Sequence, residues 1–326
     1  MEEKMRIRLR QLTLLNNLRK NPLFSLLLGA LAVINVTRYA EAQIAFTSGD
    51  WVPGPNIYMV DSEGKKVLQL TDHERWDSAP TWSPDAKQIA FESERVGHPE
   101  IYVMGANGRN PSNLTRHPAP DGDPAWSPDG QRIAFISVRD GSFDIYVMNT
   151  DGTNLTQVTD HPRPDVHPTW SPDGTRIAFE SPRISGSDIF VINADGTNLK
   201  RVTDARQWDS EPAWSPDGKR IAFASWRGGI WDIYIINVDG KGETNLTSSK
   251  SNDKHPSWSP DGKQIVYSSQ RDGLYGIYVM NADGSNSIAL VEDLKVAIEP
   301  AWAPASLAVS FTGKLSTLWG TLKREK

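Results

Sequence analysis

The sequence predicts an all-β fold, a six-bladed β-propeller of four-stranded antiparallel blades whose ring is closed by a C-terminal inner strand completing the first blade. Three observations predict it. Six tryptophans, Trp82, Trp126, Trp170, Trp214, Trp258 and Trp302, stand 44 residues apart. The pentapeptide Trp-Ser-Pro-Asp-Gly begins at four of them, Trp126, Trp170, Trp214 and Trp258; Trp82 heads a near copy ending in Ala86, and Trp302 a copy reduced to Trp-Ala-Pro-Ala-Ser. Two short runs rich in β-branched and aromatic residues recur in the same register, which marks strands and not helices.

Taken in chain order, residues 1–42 come first and stand apart. A basic stretch (Lys4, Arg6, Arg8, Arg10, Arg19, Lys20) precedes an apolar run of 14 residues, Leu23–Val36, and Ala40 and Ala42 offer a cleavage site. This reads as a signal peptide cut after Ala42. The apolar run is shorter than the roughly 20 residues that cross a bilayer, so no membrane span is expected after cleavage. The whole chain has a net charge of -5; the leader carries seven Lys/Arg and three Asp/Glu, so its removal leaves -9. That acidity argues against nucleic acid as a partner. No cysteine is present, so neither disulfides nor a lipid-modified N-terminal Cys is available. A soluble, monomeric, periplasmic or secreted protein is expected.

The repeat then supplies four strands per blade, lettered A to D from the channel outward. Strand A carries the tryptophan. Ser-Pro-Asp-Gly closes a turn into strand B: Pro fixes φ at the second position, and Gly accepts the left-handed fourth. Strand B reads Gln-Ile-Ala-Phe at Gln43 and Gln88, Arg-Ile-Ala-Phe at Arg132, Arg176 and Arg220, and Gln-Ile-Val-Tyr at Gln264. Strand C follows at Ile57, Ile101, Ile145, Ile189, Ile233 and Ile277 and in four repeats runs into Asp-Gly, a strong hairpin signal. Strand D comes next, as at Asn154–Thr159. Blade 1, starting at Gln43, lacks its own strand A, and Ile298–Trp302 is expected to fill that place. A closing strand needs no hairpin after it, so the last pentapeptide is free to lose its Asp and Gly. Residues 303–326 read as a packing segment or the remnant of an extra blade: Leu307–Phe311 keeps strand B spacing, and Lys314–Lys323 fits helix and strand alike.

The repeat from Pro212 to Gly240, PAWSPDGKRIAFASWRGGIWDIYIINVDG, resembles the WD-like repeat of TolB, the periplasmic six-bladed propeller of the Tol-Pal envelope system, and the resemblance runs over residues 43–302. It implies a propeller that meets other envelope components. Tol-Pal members also carry an N-terminal α/β domain, and this chain is read as the propeller without it. Similar repeats occur in prolyl-oligopeptidase-like peptidases and in oligogalacturonate lyases. No Gly-x-Ser-x-Gly nucleophile elbow appears in the sequence, which sets the peptidase reading aside.

Strand direction puts the A–B and C–D turns on one face and the B–C loops and D–A crossovers on the other. All six histidines fall on the crossover face, as do Trp51, Trp76, Trp208, Trp226 and Trp231, which form a candidate partner surface. A candidate cation site at the channel mouth comprises the recurrent Asp77, Asp121, Asp165, Asp209 and Asp253, with Asp123, His167, Glu211, His255 and Glu299 two residues on, where blade 2 has Ala79. The recurrent Asp residues equally suit capping of the crossover backbone. Arg95, Arg139, Arg183, Arg227 and Arg271 also recur, and four of them are expected to pair with the acid five residues on, Glu100, Asp144, Asp188 and Asp232.

These features favour a non-catalytic platform binding a protein or peptide in the envelope, with a glycan as a further partner. No cofactor is required, although a divalent cation such as Ca²⁺ suits the oxygen-rich mouth. The competing expectation is a metal-dependent polysaccharide lyase or hydrolase working at that mouth.

Overall fold

The Ile-Ala-Phe triplet of strand B alternates bulky, small and bulky side chains, and a strand turns successive side chains to opposite faces. Each blade therefore has one bulky face and one flat face. In the computed structural model, which describes residues 43–304 apart from 51, 53, 185, 205, 206, 293 and 295, this asymmetry builds the ring. Ile89 and Phe91 of blade 2 pack with Ala45 of blade 1, Ile133 and Phe135 of blade 3 with Ala90 of blade 2, and so on round to Ile44 and Phe46 of blade 1, which pack with Val266 of blade 6. The core thus consists of six clusters, each lying between two neighbouring blades.

Six four-stranded antiparallel sheets result. Blade 1 comprises β1 (Gln43–Ser48), β2 (Asn56–Asp61) and β3 (Val67–Gln69), with β24 (Ala297–Trp302) as its strand A. Ile44 pairs with Trp302 and Ala45 with Ala301, and Ala303 N–H donates to Gln43 O at 2.7 Å, so the ring closes as expected. Blades 2 to 4 occupy residues 77–113, 121–157 and 166–201, and blades 5 and 6 residues 208–245 and 252–291. Among the described residues every element is a strand. The leader, Trp51 and the tail from residue 305 lie outside the described residues.

Two features differ from the sequence reading. Strand D is far shorter than the run at Asn154–Thr159 suggested: only Thr156–Gln157 pair there. It is the exposed edge of its blade, and a short edge offers little template for pairing with other chains. Blades 5 and 6 are longer than the rest. Their B and C strands, Arg220–Arg227 with Ile230–Asn237 and Gln264–Arg271 with Leu274–Asn281, have eight residues each, against six in blades 2 to 4.

Three of the six repeated tryptophans staple blade to blade, while the indole N–H groups of Trp126, Trp214 and Trp302 have no partner among the described residues. The indole N–H of Trp82 donates to Ala301 O at 3.1 Å, that of Trp170 to Ala125 O at 3.1 Å and that of Trp258 to Ala213 O at 3.2 Å, each acceptor lying on strand A of the preceding blade. Strand B arginines of preceding blades cover the outer faces: Arg132, Arg176 and Arg220 lie 4.6, 4.9 and 4.8 Å from the ring centres of Trp170, Trp214 and Trp258. The turn that follows is fixed as expected, with φ of 70° at Gly130 and 54° at Ala86, and Ser127 Oγ accepts the N–H of Arg132 at 2.9 Å.

Trp302 lies buried in the cluster that joins blade 6 to blade 1. Trp302→Ala is expected to lower the unfolding free energy by about 3–5 kcal/mol, read from urea denaturation of the chain from Gln43. A loss below about 1 kcal/mol would mean that β24 does not close the ring.

Candidate functional site

Every strand A carries a β-bulge, two residues after the recurrent Asp position that blade 1 fills with Ala297. The pairing register shifts between Ser78 and Thr81 in blade 2 and at the equivalent place in the other five. At the bulge Ala79, Asp123, His167, Glu211, His255 and Glu299 have φ of 50, 49, 52, 57, 53 and 55°, and each precedes a proline. Left-handed backbone costs a non-glycine residue on the order of 1 kcal/mol or more. A bulge re-aims its side chain, and all six side chains line the central channel, around a cavity of about 170 Å³. The structure thus brings together every member of the mixed ring named from the sequence.

The ring residues are bonded to one another and to a second layer from strand B. Glu299 Oε2 accepts Thr47 Oγ1–H at 2.7 Å and Ala79 N–H at 2.8 Å. His167 Nδ1 lies 2.9 Å from Glu180 Oε2 and its Nε2 3.7 Å from Asp123 Oδ2. Glu180 also accepts the hydroxyls of Ser187 and Ser210 at 2.8 and 2.6 Å. Glu211 takes Lys254 Nζ at 2.8 Å, His255 N–H at 2.6 Å and His255 Nε2 at 3.4 Å. His255 Nδ1 contacts Ser268 Oγ at 2.8 Å. Ser268, His255 and Glu211 follow the connectivity of a hydrolytic triad, but Ser268 is wholly buried and its hydroxyl also donates to Lys254 O at 3.1 Å, so it offers no nucleophile to the channel.

Glu92, Glu180 and Lys254 belong to this network and were not singled out from the sequence. For the two glutamates a signal existed. The residue between Phe and Ser in the strand B motif is Thr47, Glu92, Ile136, Glu180 and Ala224, with Ser268 in the Tyr-containing version, and it varies where its neighbours do not.

Electrostatics sort the ring by charge. Burial, reinforced by Asp123 and Glu299, pushes Glu92 up to about 8, so it is protonated at neutral pH. Burial works to lower His167, but Asp123 and Glu180 outweigh it and raise the imidazole to about 10. Burial would lift Glu211, yet His255, Lys254 and His167 hold it at about 2. Burial opposes the charge on Lys254, and Glu211 nevertheless raises it. At His255 burial wins over Glu211 and lowers the imidazole, so one histidine of the ring is a cation and the other is neutral. Among the described residues no group of three or more His, Asp or Glu is disposed to hold a metal ion.

The recurrent aspartates are elsewhere. Asp77, Asp121, Asp165, Asp209 and Asp253 are fully buried at the start of strand A and do not line the channel cavity. Arg95, Arg139 and Arg183 meet Asp77, Asp121 and Asp165 at 2.7, 2.9 and 2.5 Å, and Arg227 lies 3.8 Å from Asp209. The expected pairing of these arginines with Glu100, Asp144, Asp188 and Asp232 is therefore wrong. Strand register decides the partner: Asp77 lies opposite Ser93 on strand B, two residues from Arg95, although 18 residues separate the pair in sequence. Three of the strand C acids do what was expected of the other aspartates. Glu100, Asp144 and Asp232 accept the crossover N–H groups of His117, His161 and Ser249 at 2.9, 3.1 and 3.3 Å.

The candidate aromatic surface divides. Trp208, Trp226 and Trp231 are paired in one row across blade 5, with the rings of Trp226 and Trp231 5.6 Å apart and edge-to-face. Trp76 lies apart, half-buried in the crossover into blade 2, against Gly54.

The folded value of Glu92, about 8, lies above the ordinary 4.5, so the stability it lends is full below about 4.5 and falls away as the pH rises to about 8. Glu211 has the opposite sign: at about 2, its contribution is full above about 4.5 and is lost as the pH falls towards 2. Glu92→Gln should raise the melting temperature at pH 8 by at least about 2 °C while changing it little at pH 4.5; an equal effect at both pH values would refute the burial of an ionisable Glu92. The His167 imidazole, followed by NMR, should still be protonated at pH 8.

The family model described as the TolB beta propeller domain matches residues 42–123, 114–211 and 202–317. No curated protein matches the chain in sequence. Among solved structures, TolB from Acinetobacter baumannii is 25% identical with a TM-score of 0.72, the match covering 81% of this chain and 67% of that one. A protein described as putative TolB from Agrobacterium tumefaciens is 24% identical with a TM-score of 0.65, covering 81% and 99%. The oligogalacturonate lyase of Vibrio parahaemolyticus, at 16% identity and a TM-score of 0.54 over 76% and 74%, shares the fold alone. With the model match running through all six blades, the chain belongs to the TolB β-propeller domain family.

Proposed function

We propose that this protein is an exported, non-catalytic platform that docks a protein or peptide partner in the cell envelope, with the channel mouth as the anchor point. The observation that carries this is the bulge ring: six residues held in left-handed backbone conformation aim their side chains at one point. Backbone strain that persists at a ring of polar side chains is a reason to look for function there. The ring is pre-organised by its own ion pairs, so binding would immobilise little that is not already fixed.

Size and charge favour a peptide group as occupant. About 170 Å³ is room for about five waters, which suits one side chain or a chain terminus and is small for a sugar chain. Glu299, Glu92 and Asp123 gather on the side of the ring where Ala79 adds no charge, so a basic group is the expected anchor. The alternative, a metal-dependent polysaccharide lyase or hydrolase, has less support: the donors point into separate ion pairs, and Ser268 is out of reach.

Crosslinking and pull-down from the native host's envelope and medium would compare the chain from Gln43 with its Glu299→Gln, Asp123→Asn variant. A specific envelope protein retained by the first and at least about tenfold depleted with the second is the expected result. Capture that ignores the ring substitutions would move the site away from the channel. A transition metal copurifying in stoichiometric amount would revive the enzyme reading.

A further inference from the structure

We infer that the ledge formed by the lengthened hairpins of blades 5 and 6 is a saccharide-binding site, with an acidic glycan as its ligand. Its residues differ from those lining the channel, which it meets through Lys254, and it does not depend on the function proposed above.

The extra length of these two blades adds a row of paired residues. In blade 5 it reads Trp208, Trp226, Trp231 and in blade 6, at the same positions, Asn252, Gln270, Tyr275. Trp208 and Trp226 are 60% and 39% exposed, the highest values among the described tryptophans. The hairpin residues Gly228 and Gly229 next to Trp226 have open space above them among the described residues.

Asn252 joins the two rows. Its Oδ1 accepts Trp231 N–H at 3.2 Å and its Nδ2 donates to Gln270 Oε1 at 3.1 Å. Lys254 Nζ lies 4.5 Å from the Trp231 ring, fixing that indole from the blade 6 side. The Gln270 amide N–H groups and the Tyr275 hydroxyl have no hydrogen-bond partner among the described residues. Asn252 and Gln270 also line a polar cavity of about 590 Å³ together with Lys250, Arg271 and Asp272, a volume within the range of ligand sites.

An aromatic platform beside planar amides matches the two sides of a pyranose. Its C–H face lies flat on an indole, a large apolar surface with little rotamer freedom to lose. Its hydroxyls need paired donors and acceptors, which Asn and Gln provide. The charge favours an acidic sugar: Lys250 and Arg271 outnumber Asp272 at the cavity, in a protein whose net charge is -5.

The test titrates the chain from Gln43 with a β-linked glucuronate hexamer and with the matching glucose hexamer, cellohexaose, following tryptophan fluorescence and heat of binding. Saturable binding, tighter for the glucuronate, is expected. Trp208→Ala with Trp226→Ala should weaken it at least about tenfold; these side chains are exposed, and an unchanged melting temperature would confirm the fold. Lys250→Ala with Arg271→Ala should abolish the preference for the acid, whereas His167→Gln in the channel should leave binding unchanged. The inference is overturned if neither hexamer binds, if binding survives the tryptophan substitutions, or if His167→Gln removes it. A protein captured through Trp208 and Trp226 with no sugar bound would make the ledge a protein interface instead.

Discussion

Everything in this molecule depends on the fit of a bulky blade face onto a flat one. Ile and Phe of strand B project one way and the alanine between them the other, so each blade presents a ridge to one neighbour and a recess to the next. A single blade has no interior of its own. Its Phe135, for example, is fully buried only because blade 2 supplies Ala90 and Ile101. Such a structure is stable only when the ring is complete, because an open end would leave one ridge and one recess in water. That is why the apolar residues of strand B recur with so little variation from blade to blade, and why variable residues are found where the ridges do not reach.

Two such places exist, and both lie towards the crossover face. One is the inward side of strands A and B, where the bulge turns a side chain into the channel without disturbing the blade-to-blade contacts. Blade 2 can hold alanine there, blade 3 aspartate and blade 4 histidine, with φ nearly the same in all three. The backbone sets the direction and the side chain is free to change. The other place is the ledge made by the end of strand B and the beginning of strand C, where blades 5 and 6 extend the hairpin outside the packed core. Chemistry accumulates where the framework tolerates it.

The sequence made the framework legible because each framework position is repeated and satisfies a local rule: alternation for the strands, Pro-Asp-Gly for the turns, a missing strand A for the closure. The mixed ring was legible too, by counting two residues from each recurrent aspartate. What the sequence concealed was which acid meets which arginine. Glu100 is five residues from Arg95, but the hairpin carries it to the crossover; Asp77, 18 residues back, comes alongside through strand pairing. Glu92 and Glu180 were hidden for a related reason. On strand B they alternate like solvent-facing residues, and only the curvature of the ring turns that side of the strand into the wall of a channel.

Blade 1 dispenses with the Asp–Arg brace of the other blades. Five blades have Asp and Arg at these two positions of the sequence repeat, paired in four of them, and blade 1 has neither: the aligned positions hold Ala297 and Trp51. A buried aspartate in that place needs donors; blade 6 supplies Asp253 with hydroxyls, Ser249 Oγ among them at 3.0 Å, whereas blade 1 dispenses with the aspartate itself. Ala297 is fully buried in the apolar cluster instead. The strand is held at that end by Ser48 Oγ donating to Val296 O at 2.5 Å and by Thr47 Oγ1 donating to Glu299. The blade assembled from the two ends of the described chain thus exchanges a buried ion pair for apolar packing and neutral donors. Its ring residue, Glu299, is directed to the channel, where the carboxylate accepts the N–H of Ala79 of blade 2 at 2.8 Å, so blades 1 and 2 are joined at the mouth by a hydrogen bond and not by an ion pair.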